Sequence, residues 1–227
     1  MKAVILAAGK GVRMGKITEL LPKPLIPVCG IPAIEHTLRS LPQAITEIVI
    51  VIGHLGVQIR SRIGDVYMNK PITYIEQGDL NGTGGAVYAA QSVLNGPFIV
   101  IHGDDLYLKQ DLQSLVDSKD WAVLLTEVAE LGTAGKAIVL QNKVVDILEK
   151  ESHQGGPGYA NAGGYRLDER FFHLQPVKRP ESNEIGLPQT LIQAAGTIDI
   201  LPIKAGQIIR LTSPEDIPKA EAALISA

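Results

Sequence analysis

The sequence is poor in several residue types, and each shortage removes a class of protein. It has one cysteine, Cys29, in 227 residues, so neither an intrachain disulfide framework nor a cysteine-rich metal site can be assembled. A reducing, cytoplasmic setting is therefore expected, and Cys29 reads as a small core residue. Aromatic residues make up only 4%, which leaves the core to Val, Ile, Leu and Ala. Lys and Arg number 21 against 24 Asp and Glu, a formal net charge of -3. Such a chain has no general field for nucleic acid or an anionic membrane, and neither partner is expected. No apolar run approaches the roughly eighteen residues of a membrane span. The opening MKAVILAAG is too short and too soon interrupted for a secretory signal. Oligomeric state has no signature here.

Hydrophobic residues at 45% and charged residues at 20% describe an ordinary globular core, and the length suits one sizeable domain over 1–227. Apolar β-branched runs recur at 2–8, 47–53, 72–76, 98–104 and 122–128. Runs of this kind read as buried, mainly parallel strands. Between them, 32–41, 56–64, 83–94 and 111–118 carry apolar residues at helical spacing. That alternation predicts an α/β fold: a Rossmann-like three-layer arrangement with helices on both faces of a mostly parallel sheet. Beyond about residue 130 the pattern changes. Segments 136–151 and 158–168 read as strands of a small antiparallel extension, with a hairpin tip at Asn142 and Lys143. Segments 183–196 and 213–226 read as helices, the second capped by Ser213 with Pro214 in its first turn. The chain thus divides into halves of about 1–130 and about 131–227.

The stretch LAAGKGVRMGKITELLPKP, residues 6–24, lies directly behind the first strand. Glycines there let several backbone N–H groups approach one anion while Lys and Arg supply charge. A dinucleotide fingerprint would need glycine where Met14 stands, and the helix should begin at once. A P-loop would need Gly-Lys followed by Ser or Thr, which is absent from this stretch. What is left is a long loop from Gly9 to Lys23, with Arg13 and Lys23 as two separate cations over an extended phosphate chain. The five histidines, His36, His54, His102, His153 and His173, have no metal-ligand spacing and read as structural or surface residues.

LAAGKGVR (6–13) followed by PKP (22–24) resembles the signature of the sugar-1-phosphate nucleotidylyltransferases, and the resemblance continues along nearly the whole chain. EQGDLNGTGGAV (76–87) looks like that family's base-recognition segment, HGDD (102–105) like its metal-binding turn, and NAGGY (161–165) like part of its sugar-phosphate site. The resemblance implies transfer of a nucleotidyl group from UTP or dTTP to a sugar 1-phosphate, with release of pyrophosphate. Arg13, Lys23 and Asp104 would be catalytic, and Asp104 would hold Mg²⁺, with Asp105 a weaker candidate. The nucleotide would lie against Leu6, Ala7, Ala8, Gly9, Gly11, Arg13, Gln77, Gly82 and Thr83, where the Gln77 amide can pair with a pyrimidine edge. Gly135, Glu149, Lys150, Asn161 and Gly163 would hold the sugar phosphate, so the resemblance implies a nucleotide-binding half over about 1–130 and a sugar-phosphate-binding half over about 131–227.

One departure stands out. IIRLTSPEDI (208–217) resembles the family's closing motif but carries Arg210 where a second metal-binding Asp is usual, and Ile208 where Trp is frequent. The alternative reading is a catalytically weak or inactive regulatory paralogue that keeps the nucleotide and sugar-phosphate pocket. The acceptor is open at this stage. Asn161-Ala162-Gly163 is similar to N-acetylhexosamine enzymes, whereas the Arg13-to-Lys23 step is similar to enzymes of plain hexose phosphates. A choline phosphate with CTP is a further option. No C-terminal β-helix follows, so acetyl transfer is not expected.

Overall fold

The computed structural model describes residues 1–227 except Leu80, Pro180, Glu181, Gln207, Ser226 and Ala227, and except the side chain of Glu151. Leu80, within the 76–87 stretch, and Ser226, at the end of the last expected helix, thus lie outside the described residues. The strands are β1 (Lys2–Ala7), β2 (Pro27–Val28), β3 (Ile31–Pro32), β4 (Glu47–Ile52), β5 (Val66–Tyr67), β6 (Lys70–Glu76) and β7 (Phe98–His102). They continue with β8 (Asp105–Leu106), β9 (Trp121–Val128), β10 (Lys136–Leu140), β11 (Lys143–Leu148), β12 (Gly158–Leu167), β13 (Ile200–Lys204) and β14 (Ile209–Arg210). The helices are α1 (Ile17–Leu20), α2 (Ala33–Ser40), α3 (Gly56–Ile63), α4 (Gly82–Ala89), α5 (Lys109–Asp117), α6 (Leu187–Ile192) and α7 (Asp216–Ile225).

Strands β7, β1, β4 and β6 lie side by side in parallel, as the continuous apolar runs require. Because side chains alternate along a strand, each run supplies two cores. Ala3, Ile5 and Ala7 with Ile48, Ile50 and Ile52 face one side, where α2 brings Ile34 and Leu38 and α5 brings Leu112 and Leu115. Val4, Leu6, Val49 and Val51 face the other, against Ala86 and Val87 of α4 and Leu187 and Leu191 of α6. The result is the expected three-layer, Rossmann-like fold. Among the described residues no helix is long and apolar enough to cross a membrane.

The antiparallel extension is grafted onto one edge of this sheet by β12, and the graft leaves a split. The C-terminal part of β12 pairs with β7, Tyr165 opposite Val100, while its N-terminal part pairs with β10, Ala160 opposite Lys136. Between the two, Asn161 to Gly164 meets neither strand. On its other edge β12 pairs with β9, and there the register jumps between Asn161 and Tyr165, a bulge at that position. Gly163 has φ +76° in the bulge, a left-handed conformation that suits glycine. The split opens at the C-terminal ends of β1 and β7, where open α/β sheets hold their ligands.

Four local expectations are corrected. The hairpin tip is Gln141 and Asn142, both at positive φ as a two-residue turn of the primed type demands; Lys143 already belongs to β11. The helix expected over 183–196 shrinks to Leu187–Ile192. Residues 183–186 are instead drawn out along the start of α4, with Ile185 N–H on Asn81 O at 2.6 Å and Gly84 N–H on Ile185 O at 2.9 Å. The last helix starts at Asp216, not Ser213. The Asp216 carboxylate reaches back to the N–H groups of Thr212 and Ser213, each at 2.9 Å. Cys29 is not a core residue: it is exposed at the β2–β3 turn, with φ 49°.

Candidate active site

The loop behind β1 is held by its own residues. Gly11, at φ 64°, opens a single helical turn over Val12–Met14, and the buried Met14 anchors it. Thr18 Oγ1 then donates to Gly11 O at 3.0 Å, folding the loop back. A Cβ on Gly11 would stand 3.1 Å from Lys23 Cβ, so the missing side chain is what lets Lys23 lie against the glycine turn. Pro22 and the turn Lys23–Leu25 present the ammonium, with Pro24 and Leu25 buried beneath it. Arg13 is exposed on the same loop.

Asp104 follows a tight turn after β7. Gly103 donates its N–H to Leu6 O at 2.9 Å, and a Cβ there would meet Ile5 Cγ2 at 3.1 Å, so the turn is pressed against β1. This brings Asp104 onto Lys23, and the two form an ion pair that is partly screened from solvent. Asp105 points elsewhere. It starts β8, which pairs with β14 so that Arg210 lies opposite Asp105, with Nε at 4.0 Å from the carboxylate. The Arg210 guanidinium also donates to Asn161 O in the bulge.

Burial, and secondarily the charge of Asp104, pushes the Asp105 carboxyl up to about 6, against the opposing pull of His102, Arg210 and Lys23. The native state then binds a proton more readily than the unfolded chain, with its ordinary value of 3.8. The stability that the protonated carboxyl contributes is present below 3.8 and lost as pH rises through about 6. Asp105→Asn, permanently neutral, is expected to raise Tm at pH 7 and to lose that advantage as pH falls toward 4. Thermal unfolding at several pH values checks this, and a Tm gain independent of pH would contradict it.

Gln77 is buried at the end of β6. Its amide nitrogen donates to Asn81 Oδ1 at 2.8 Å and to Gly82 O at 3.0 Å, and since Gly82 O only accepts, the amide orientation is fixed. Both N–H groups are spent, which leaves the Gln77 carbonyl oxygen as the group available to a ligand. An antiparallel pair of short segments, 177–179 and 184–186, lies over this region, with Lys178 opposite Ile185 and Arg179 N–H on Glu184 O at 2.8 Å. It docks on bare glycines. A Cβ on Gly82, at φ +93°, would stand 2.6 Å from Ile185 O, and one on Gly84 would stand 2.7 Å from Ile185 Cγ2.

The residues expected to hold the second substrate gather at the split. Gly135 precedes β10 and its carbonyl accepts from Asn161 N–H at 2.8 Å. The Asn161 side chain donates to Tyr165 Oη at 2.7 Å and accepts from Gly163 N–H at 3.1 Å. Glu149, just past β11, takes Gln189 Nε2 at 2.5 Å and Arg179 at 3.5 Å. Lys150 is exposed on the following turn, and no contact of its side chain with the other members is seen among the described residues.

A cleft of about 500 Å³ joins these pieces. Leu6, Ala7, Ala8, Gly9, Gly11, Arg13, Lys23, Gln77, Gly82, Thr83 and Asp104 line it. Gly135, Glu149, Lys150, Asn161 and Gly163 stand outside its walls, Glu149 being tied to it through Arg179 and Gly163 through His102. Lys10, Arg179, Glu184 and Thr212, for which the sequence predicts no role, also line the cleft, and so does His102, expected to be a structural or surface residue. Only the packing of the paired segments 177–179 and 184–186 onto the α4 glycines could reveal Arg179 and Glu184.

The chain belongs to the nucleotidyl transferase family, whose model matches residues 2–194. Among curated relatives, the bifunctional protein GlmU of Methanocaldococcus jannaschii is 32% identical over 188 residues, 82% of this chain and 44% of that protein. The chain thus spans about half the length of the first curated relatives it matches. The UTP–glucose-1-phosphate uridylyltransferase AglF of Haloferax volcanii is 29% identical over 234 residues, 97% of this chain and 95% of that one. A solved structure from Bacillus anthracis, described as a glucose-1-phosphate thymidylyltransferase in complex with sucrose, superposes with a TM-score of 0.84. Its identity is 26%, over 98% of this chain and 94% of that one.

Proposed function

We propose that the protein joins a sugar 1-phosphate to UTP or dTTP, forming a nucleotide sugar and pyrophosphate. The observation that carries this reading is the convergence of Arg13, Lys23, Asp104 and Gln77 on one cleft at the C-terminal ends of parallel strands. An oxygen of the acceptor phosphate forms a bond to the α-phosphorus as the bond from that phosphorus to the oxygen bridging to the β-phosphate breaks. The bridging oxygen leaves with pyrophosphate. Both reacting oxygens belong to ionised phosphates, so cations and donors that position charge suffice, without a covalent intermediate on the protein. Arg13 holds the departing pyrophosphate, and Lys23 steadies charge at the α-phosphate. Backbone N–H groups around Gly9 and Gly11 cradle the triphosphate.

Asp104 offers a hard oxygen donor in the cleft, and magnesium takes one or two carboxylates with phosphates and water. The site therefore fits Mg²⁺ delivered with the nucleotide, although no group of three or more potential ligand side chains comes together among the described residues. When bound, the ion would offset triphosphate charge. Lys23 must release Asp104 for that, and the incoming phosphates give the ammonium new partners.

The free Gln77 carbonyl oxygen accepts from the imide N–H of uracil or thymine, whereas cytosine presents a lone pair at that position. Similarity to AglF, named for UTP and glucose 1-phosphate, supports the same pair here. The test is a pyrophosphate-release panel of four NTPs against several sugar 1-phosphates with Mg²⁺. UTP or dTTP with a hexose 1-phosphate is expected to lead, with CTP at least about tenfold slower, as one mispaired hydrogen bond implies. No release with any pair would favour the regulatory alternative.

A further inference from the structure

His102 occupies the seam between the two parts of the sheet. It ends β7, pairs with Leu6 of β1 on one side, and faces the bulge of β12 on the other. A Cβ on Gly163 would stand 2.8 Å from Cδ2 and 3.3 Å from Nε2 of its imidazole. The ring therefore packs on a glycine surface that no other residue would leave open. Its backbone is clamped as well: His102 N–H donates to Tyr107 Oη at 3.2 Å, and that hydroxyl donates to Gly163 O at 3.1 Å. Burial raises the Tyr107 phenol well above its ordinary value, which keeps it a neutral donor.

The ring nitrogens of the other internal histidines have partners. His36, His54 and His153 each meet a backbone carbonyl, of Val28, Thr18 and Ala134. The His102 ring has no hydrogen-bond partner among the described residues, is half-buried, and lines the cleft beside Lys23 and Asp104. An imidazole carries at least one N–H whatever its tautomer, and this one opens onto the cleft, where a ligand's acceptor can take the place of solvent.

We propose that His102 contacts substrate, its ring N–H donating a hydrogen bond to the phosphate of the acceptor and aligning it on the α-phosphorus. The inference rests on the nucleotidyl-transfer reading above and deepens it. The nucleotide side of the cleft ends at Asp104 and the residues placed for the acceptor begin at Gly163, so the two phosphates meet where this ring stands. Hydrogen bonding alone is invoked, and the protonation state of the ring plays no part.

The experiment compares His102→Phe, which keeps a ring against Gly163 without a donor, with His102→Gln, which keeps a neutral donor. Both are assayed with the best nucleotide and sugar 1-phosphate of the panel. His102→Phe is expected to raise KM for the sugar phosphate by about 10- to 100-fold, as loss of a hydrogen bond to a charged group implies. KM for the nucleotide and Tm should stay near wild type, and His102→Gln should recover most of the acceptor affinity. An unchanged acceptor KM in His102→Phe overturns the proposal. So does an equal rise in both KM values, or a His102→Gln variant as impaired as His102→Phe. A wild-type protein that transfers to no sugar phosphate overturns the nucleotidyl-transfer reading itself, a result separable from all of these.

Discussion

Lys23→Ala is expected to lower kcat by about three orders of magnitude, as removal of a donor aimed at developing charge does elsewhere, in a protein that still folds. The fold survives because the turn that carries Lys23 is held by the buried Pro24 and Leu25 and not by the ammonium. Asp104, whose side chain is 20% exposed, becomes hydrated when its partner is lost, and the stability cost stays near about 1 kcal/mol. In the proposed reaction the kinetic cost is larger, because the ammonium would meet charge that grows only as the bond to pyrophosphate breaks. Lys23→Arg should recover little. The Lys23 stem fits against Gly11 at near-contact distance, and a planar guanidinium there cannot act as a compact point charge. Pyrophosphate release and urea unfolding of the same preparations check the two halves, and near-normal turnover in a folded Lys23→Ala protein would remove Lys23 from the mechanism.

Arg210→Asp is expected to destabilise the metal-free protein by about 2 to 3 kcal/mol. That is below the range for breaking a fully buried pair, because Arg210 is partly solvated. The substitution removes the cation beside the buried Asp105 and sets a third carboxylate near Asp104 and Asp105. Like charges so placed repel and push one another toward protonation. Magnesium should reverse the effect. Three carboxylates form a better site than Asp104 alone, so millimolar Mg²⁺ is expected to raise Tm of the variant more than that of wild type, by binding only the native state. Thermal unfolding with and without Mg²⁺ decides it. If Tm does not fall in the metal-free variant, Arg210 is not what makes the buried Asp105 tolerable.

Much of this could be read along the chain, because the informative features are local. Continuous Val and Ile runs announce strands buried on both faces, and β1, β4 and β7 lie where those runs lie. The glycines and cations of the first loop are close in sequence, so their shared purpose is visible there. What escaped depends on distant pairings. The helix expected over 183–196 has a proper apolar pattern, but its first residues gain more from lying along Asn81 and Gly84 than from a further helical turn. Cys29 looked like a core residue by composition, yet it sits at a turn of positive φ that no periodicity marks. The role of Arg210 hinges on its lying across from Asp105 and on Asn161, contacts spanning 105 and 49 positions of sequence. Those are matters of three-dimensional placement.

The docking of the paired segments 177–179 and 184–186 has a consequence of its own. The pair is held by main-chain groups of Asn81, Gly84 and Ile185 over glycines that must stay bare, while Arg179 and Glu184 line the cleft. Attachment thus rests on main-chain atoms, apart from the side chains that line the cleft. If the proposed reaction holds, substitutions at 179 and 184 are expected to change acceptor preference while the main-chain docking persists, with Gly82 and Gly84 as the two positions to leave unchanged.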